Sequence, residues 1–362
     1  MPVPLFDSGT PLVALRDRLD EALLGVLDDG RFILGPNVAE FEREFAAFLG
    51  AGHAVGVANG TEALTIALRA LGVGPGDEVI VPSFTFYASA EAIPPTGATP
   101  VFCDVDPATF LMTPESVRAV MTPRTKAVIV VHLFGNVAPV PEIAALGIPV
   151  VEDAAQAAGS IGPDGRPGAL GALATFSFYP SKNLGCLGDG GAISTDDDAL
   201  AEQVRTLRFH GSRDKVTYEQ VGYNSRLDEL QAAALRVMLP ELEHWAAHRH
   251  LAGAWYEEEG LGELASLPEP SPASAPAWHL YVIRHPRADE LQTALAAAGI
   301  EARAYYRTPV HRQPAMRRWG ASATLPGTDE AARTHLALPI SAAITREQVA
   351  EVVEAVRAAG LA

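Results

Sequence analysis

Apolar positions along the start of the chain recur at helical spacing. Residues 11–28 (PLVALRDRLDEALLGVLD) carry them on one face, with Gly30 as a stop. VAEFEREFAAFLGA (38–51) repeats the pattern, and GRFILGPN (30–37) between them reads as a loop. HAVGVANG (53–60) is a short apolar run into a turn, and TEALTIALRALG (61–72) is a helix that begins directly after Gly60. From there the chain alternates. Apolar runs at 78–83, 99–105, 126–135 and 149–153 are separated by helices expected near 86–95, 114–121 and 139–146. ALATFSFYP (172–180) and GGAISTD (190–196) add two more strands. This alternation predicts an α/β fold with a mainly parallel central sheet covered by helices on both faces. Ligand-binding residues are then expected at the carboxyl ends of the strands.

A long helical stretch follows at 226–260, broken at Pro240. LPEPSPASAPA (267–277) reads as a loop, WHLYVIRH (278–285) as a strand, and 288–300 and 345–360 as helices. The boundary of a smaller domain is expected near 240. That gives residues 1–240 as a large α/β domain and 241–362 as a small C-terminal α+β domain.

Composition narrows the function. The chain has 362 residues and a formal net charge of −17, which disfavours nucleic-acid binding, since that needs a basic face. The start, MPVPLFDSGTPL, shows no basic n-region and no apolar h-region. AVIVVHLFG (127–135) is too short to span a bilayer. Cys103 and Cys186 have no metal or redox spacing. A soluble, reduced, cytoplasmic protein with no membrane contact is expected. His244 and His248 stand at i, i+4, but H-E-x-x-H is absent, so no metal is expected. The 27 basic residues are 24 Arg and only three Lys: Lys126, Lys182 and Lys215. A lysine kept in so arginine-rich a chain invites a role that arginine cannot fill, because lysine can lose its proton.

Four segments carry candidate chemistry. NGTEAL (59–64) runs a strand into a helix start at Thr61, where backbone amides bind anions; alone it is also a plain helix cap. VVEDAAQAAG (150–159) ends an apolar strand in Glu152 and Asp153. A buried carboxylate there needs a partner such as a protonated pyridine nitrogen, or it caps the next helix. FSFYPSKNLGCLGDGG (176–191) sets Lys182 between Ser177, Ser181 and a glycine-rich loop. This suits a Schiff-base lysine beside a phosphate, with a surface lysine as the alternative. GYNSRLDELQAA (222–233) places Asn224 and Arg226 before a helix whose first turn holds Asp228 and Glu229, which capping and dipole effects also explain.

Together these segments resemble the DegT/DnrJ/EryC1/StrS sugar aminotransferases, which are fold type I pyridoxal phosphate enzymes. The likeness spans nearly the whole chain. It extends through FILGPNVAEFE, GDEVIVPSFTF, TPVFCDVDP, FHGS and YYRTPVHRQPAM. It implies a pyridoxal 5′-phosphate cofactor with Lys182 as its Schiff-base lysine and proton shuttle. Asp153 would pair with the ring nitrogen, Phe86 would stack on the ring, and Gln156 would meet its 3-hydroxyl side. Gly60, Thr61 and Ser177 would bind the phosphate. Asn224 would reach the phosphate in a neighbouring subunit, which implies a homodimer with active sites at the interface. Arg226, Tyr305 and Tyr306 would meet the substrate. L-Glutamate would be the amino donor and a keto-sugar nucleotide the acceptor. Gln156 after EDAA, where 4-keto enzymes often carry His, leans toward transfer at C3. Tyr305-Tyr306-Arg307 replaces the His-Tyr-Pro of many relatives, which leaves the sugar open; a 4-keto sugar or a keto-cyclitol is the alternative. A pyridoxal phosphate-binding regulator is a further one. Lys182 itself argues against the family's dehydratases, which carry histidine there.

Overall fold

The computed structural model describes residues 3–361. Among them, seven strands form a central sheet in the order β1-β7-β6-β5-β4-β2-β3. The strands are β1 (His53–Val57), β2 (Glu78–Pro82), β3 (Thr99–Cys103), β4 (Thr125–Val131), β5 (Val150–Asp153), β6 (Leu173–Ser177) and β7 (Gly191–Thr195). From β3 across to β6 all pairings are parallel, while β7 runs antiparallel to both β6 and β1. Every residue of β2, β5 and β7 is buried, as expected when helices cover both faces.

The longer helices are α1 (Arg16–Asp29), α2 (Pro36–Leu49), α3 (Gly60–Ala70), α4 (Asp198–Arg208), α5 (Glu229–Met238), α6 (Leu242–Glu258), α7 (Ala288–Ala297), α8 (Pro326–Thr334) and α9 (Arg346–Ala358). Several boundaries differ from the pattern-based expectation. The helix expected at 11–28 divides into a single turn, Thr10–Val13, and α1. The helix expected near 86–95 shrinks to Ala88–Glu91, followed by a 3-10 turn at Pro94–Thr96; Pro94 and Pro95 remove two N–H donors. The strand expected to reach 135 stops at Val131, because Phe134 turns to φ 60° inside the tight turn Leu133–Gly135. Helices α4 and α8 and strand β9 (His335–Leu338) are additions to the expected elements. Asp197 caps α4 by accepting the N–H groups of Ala199 and Leu200 at 2.8 and 3.0 Å.

Three buried clusters hold this arrangement. One runs along the sheet and α3. A second packs Phe41 and Phe45 of α2 edge-on against Phe176 and Phe178, with centroids 4.9–5.5 Å apart. The third lies beneath the antiparallel pair β8 (Tyr281–Arg284) and β9, against α6, α7 and α9. A 3-10 turn, Leu239–Glu241, joins α5 to α6 at Pro240.

Candidate active site

A cavity of about 1010 Å³ opens at the carboxyl ends of the parallel strands. Val131, Asp153 and Ser177, the last residues of β4, β5 and β6, all line it. Beyond β1 the chain turns at Asn59, whose Oδ1 accepts the Glu62 N–H at 2.8 Å. Asn59 is therefore the cap, and α3 starts at Gly60, one residue earlier than the sequence suggested. The N–H groups of Gly60 and Thr61 have no acceptor among the described residues. A Cβ on Gly60 would lie 2.7 Å from the Ser177 Cβ, so glycine lets the helix terminus close on β6. Two free amides and the Ser177 side chain thus edge the cavity at the positive end of an 11-residue helix.

Side chains alternate along β5, and that separates its two carboxylates. Glu152 accepts the N–H groups of Gly168, Leu170 and Gly171 at 2.8–3.0 Å and a hydrogen bond from His132 Nε2 at 2.8 Å. The Ala138 N–H donates to His132 Nδ1 at 3.0 Å, which fixes the tautomer that donates from Nε2. Glu152 is a structural tie. Asp153 turns into the cavity instead. Ser89 donates to its Oδ2 at 2.7 Å, the Ala155 N–H reaches Oδ1 at 3.2 Å, and Thr85 Oγ1 lies 3.0 Å from Ser89 Oγ.

Lys182 lines the same cavity. Its backbone N–H donates to the Tyr179 carbonyl at 2.8 Å. Burial lowers its amine from the ordinary 10.5 to about 8, with the Asp153 carboxylate pulling the other way. Two of the glycines after it are required by the chain's own packing. A Cβ on Gly185 would strike the Pro180 carbonyl at 2.6 Å, and one on Gly191 the Asn59 backbone at 2.6 Å, so both serve contacts within the chain.

Gln156 accepts the Phe134 N–H at 2.7 Å and donates to Tyr306 Oη at 3.3 Å. Phe86, 55% exposed, stands at the rim with its ring 6.3 Å from that of Tyr306. Tyr305 and Tyr306 enter from the C-terminal part of the chain. Two residues named from sequence do not join them. Asn224 is exposed and Arg226 half-buried, and neither lines the cavity. A bridge between Phe209 and Asn224, and the Ser225 N–H bonded to the Arg208 carbonyl, hold this segment at the end of α4. Arg226 therefore lies outside its own chain's cavity.

Sequence reasoning missed Ser89, Thr85 and His279. A serine three residues beyond Phe86 carries no signal of its own. His279 sits inside an apolar run and reads as core, yet it lines the cavity, its ring 5.8 Å from that of Phe6. Burial holds its pKa well below the ordinary value, and the Lys182 and Arg249 charges add to the effect.

An amine poised near neutrality, a held carboxylate and an anion-binding helix end on a parallel sheet mark the fold type I pyridoxal phosphate enzymes as a class. Comparison with known proteins places the chain within it. Residues 14–357 match the DegT/DnrJ/EryC1/StrS aminotransferase family, and the chain belongs to that family. It is 46% identical over 362 residues to the dTDP-3-amino-3,4,6-trideoxy-alpha-D-glucose transaminase of Streptomyces venezuelae, covering 98% of this chain and 95% of that one. It is 43% identical over 359 residues to the UDP-N-acetyl-3-dehydro-alpha-D-glucosamine 3-aminotransferase of Acidithiobacillus ferrooxidans, covering 98% and 97%. The crystal structure of S. venezuelae DesV in complex with a ketimine intermediate superimposes with a TM-score of 0.95 at 45% identity, covering 99% and 98%. The protein is a pyridoxal phosphate-dependent aminotransferase.

Proposed function

We propose that this enzyme moves an amino group from L-glutamate to the C3 keto carbon of a nucleotide-linked sugar. The observation that carries the reading is Lys182 in the same cavity as Asp153 and the α3 terminus, with its amine lowered to about 8. At neutral pH a useful fraction of that amine is free to accept a proton. The preference for C3 draws on Gln156 in the cavity wall and on relatives named for 3-amino sugars.

When bound, the cofactor supplies an electron sink that stabilises negative charge on a substrate carbon. The chain's residues do the rest. The Gly60 and Thr61 amides and Ser177 hold the phosphate. Asp153, itself held by Ser89, accepts a hydrogen bond from the protonated ring nitrogen. Phe86 would pack on the ring, and Gln156 would contact its hydroxyl. Lys182 Nζ would accept the proton from the donor's alpha carbon and hold it for return. Tyr305 and Tyr306 border the sugar.

We further propose a homodimer in which Asn224 and Arg226 serve the neighbouring subunit's site. Their position outside their own cavity supports this. We take residues 1–240 as the cofactor-holding domain and 241–362 as the smaller one, on the break at Pro240 and the separate buried cluster under β8 and β9. A cytoplasmic location fits two unpaired, buried cysteines, Cys103 and Cys186. No helix among the described residues is long and apolar enough to cross a membrane.

The test is a panel of 3-keto and 4-keto nucleotide sugars offered with glutamate. Turnover of 3-keto substrates alone supports the reading, and turnover confined to 4-keto substrates overturns C3. One observation favours a second reading. A relative 44% identical over 362 residues, from Geobacillus stearothermophilus, is named a pleiotropic regulatory protein. Failure of the cofactor-loaded protein to convert glutamate to 2-oxoglutarate would favour a regulator.

A further inference from the structure

The hydroxyl of Tyr306 has a fixed direction. The Phe134 backbone N–H can only donate, and it donates to Gln156 Oε1 at 2.7 Å. That contact sets the carboxamide, so Nε2 faces Tyr306 and donates to its Oη at 3.3 Å. Oη is thereby an acceptor toward Gln156, and its own proton has no acceptor among the described residues. No hydrogen bond runs from Tyr306 to Asp153, whose partners are Ser89 and the Ala155 N–H. Burial, the largest cause, raises the phenol above its ordinary 10.0 and Asp153 adds to this, so the proton stays on the oxygen.

The ring is held firmly. Tyr306 adopts φ 72°, a left-handed conformation uncommon for a bulky residue. Its ring lies parallel to Phe134 with centroids 6.2 Å apart, and meets Phe84 edge-on at 5.9 Å. Arg307, the next residue, donates to the Ala332 and Arg333 carbonyls at 2.8 and 3.0 Å and anchors the backbone. A strained, well-anchored side chain with one spare donor in a cavity is a recognition element.

We propose that Tyr306 is a one-way hydrogen-bond donor, poled by Phe134 and Gln156, that recognises an acceptor oxygen in the cavity. Given the cofactor and substrate class proposed above, on which this inference depends, two oxygens qualify. One is the 3-oxygen of the cofactor ring, and the other is the keto oxygen of the acceptor sugar.

Tyr306→Phe removes only the hydroxyl, and two arms separate the sources. In the first, the dissociation constants of pyridoxal 5′-phosphate and its 3-deoxy analogue are measured for wild type and variant. An affinity loss of about tenfold for the parent, with the analogue unchanged, assigns the cofactor oxygen. In the second, the glutamate half-reaction is compared with amino transfer to a nucleotide-linked 3-keto sugar. About tenfold slower transfer, with the glutamate step and cofactor affinity unaltered, assigns the substrate oxygen. Equal loss for both cofactors and both half-reactions marks a packing role and overturns the proposal, as does no loss anywhere. Gln156→Glu checks the poling. Its carboxylate accepts from both Phe134 and Tyr306, turning the hydroxyl away from the cavity. In that background Tyr306→Phe is expected to change either number by less than about twofold; a full tenfold effect there overturns the poling. A wild type that forms no lysine-bound chromophore instead fails the cofactor reading itself.

Discussion

Lys182 and Asp153 share one cavity and act on the amine's proton in opposite senses. Desolvation lowers the amine to about 8, and the carboxylate moderates the drop. Asp153→Asn removes the moderating charge, so the amine is expected to fall below 8. The pH dependence of acetylation at Lys182 in the cofactor-free protein measures this, and an unchanged or higher midpoint would refute it. The same shift predicts a stability effect. Below about pH 8 folded and unfolded chains both carry the proton, and the folded state bears the full burial penalty. Between about 8 and 10.5 the unfolded chain binds more protons, so stability rises with pH. Lys182→Met is therefore expected to stabilise the cofactor-free protein at pH 7 by about 1–2 kcal/mol, since the residue is only half-buried. The gain should shrink as pH climbs through that window, as urea unfolding at several pH values would show. The lysine was legible in the sequence because so few lysines compete with it. Alternation along a strand puts Glu152 and Asp153 on opposite faces, but which face holds the cavity was not legible, because only their surroundings decide it. Ser89, which holds Asp153, comes from a segment 64 residues earlier and leaves no trace in spacing.

Helix α2 shows how an element can depend on a residue far along the chain. Its N-terminal amides have no local cap, since Gly35 and Pro36 offer no side-chain acceptor. Glu229, in the first turn of α5, supplies one. Its carboxylate accepts the N–H groups of Gly35, Asn37 and Val38 at 2.7, 2.8 and 2.9 Å. A Cβ on Gly35 would lie 2.7 Å from the Glu229 carboxyl carbon, so the glycine is required by space and not by its φ of −98°. Glu229→Gln turns one oxygen into a donor facing a backbone donor. It is expected to cost about 2–3 kcal/mol, read as a lower urea midpoint at unchanged slope; a loss under about 0.5 kcal/mol would refute the role. From sequence, Asp228 and Glu229 look alike as first-turn acids. Asp228 does cap its own helix, accepting the Gln231 N–H at 2.8 Å. Glu229 caps a different one, and no local pattern reveals that. The helices that were legible show strong periodicity, and the buried strands of the sheet were legible as short, nearly continuous apolar runs between them. Helix α4 was legible in principle, with Asp197 before Leu200, Val204 and Leu207 at one-face spacing. The four-residue strand β9 was not, since its pairing with β8 is a tertiary fact.

At the scale of the molecule, the proposed dimer makes the strongest demand. Phe32, Ile33, Val216 and Val221, none of which lines the cavity, are 44–83% exposed and are candidates for cover by a second subunit. Asn224 lies in the same stretch as Val221, outside its own cavity. If Asn224 serves the partner's site, each active site takes Lys182 from one chain and Asn224 from the other. Lys182→Ala and Asn224→Ala should then each be inactive, or nearly so, as homodimers. Refolded together in equal amounts, they should form heterodimers as half of the population. Every heterodimer has one site carrying both defects and one carrying neither. Activity should therefore return to roughly a quarter of wild type. Were Asn224 to act within its own chain, every site in the mixture would still carry one defect, and no activity would return. The mixed sample thus tests the shared site by itself, independent of which sugar the enzyme aminates.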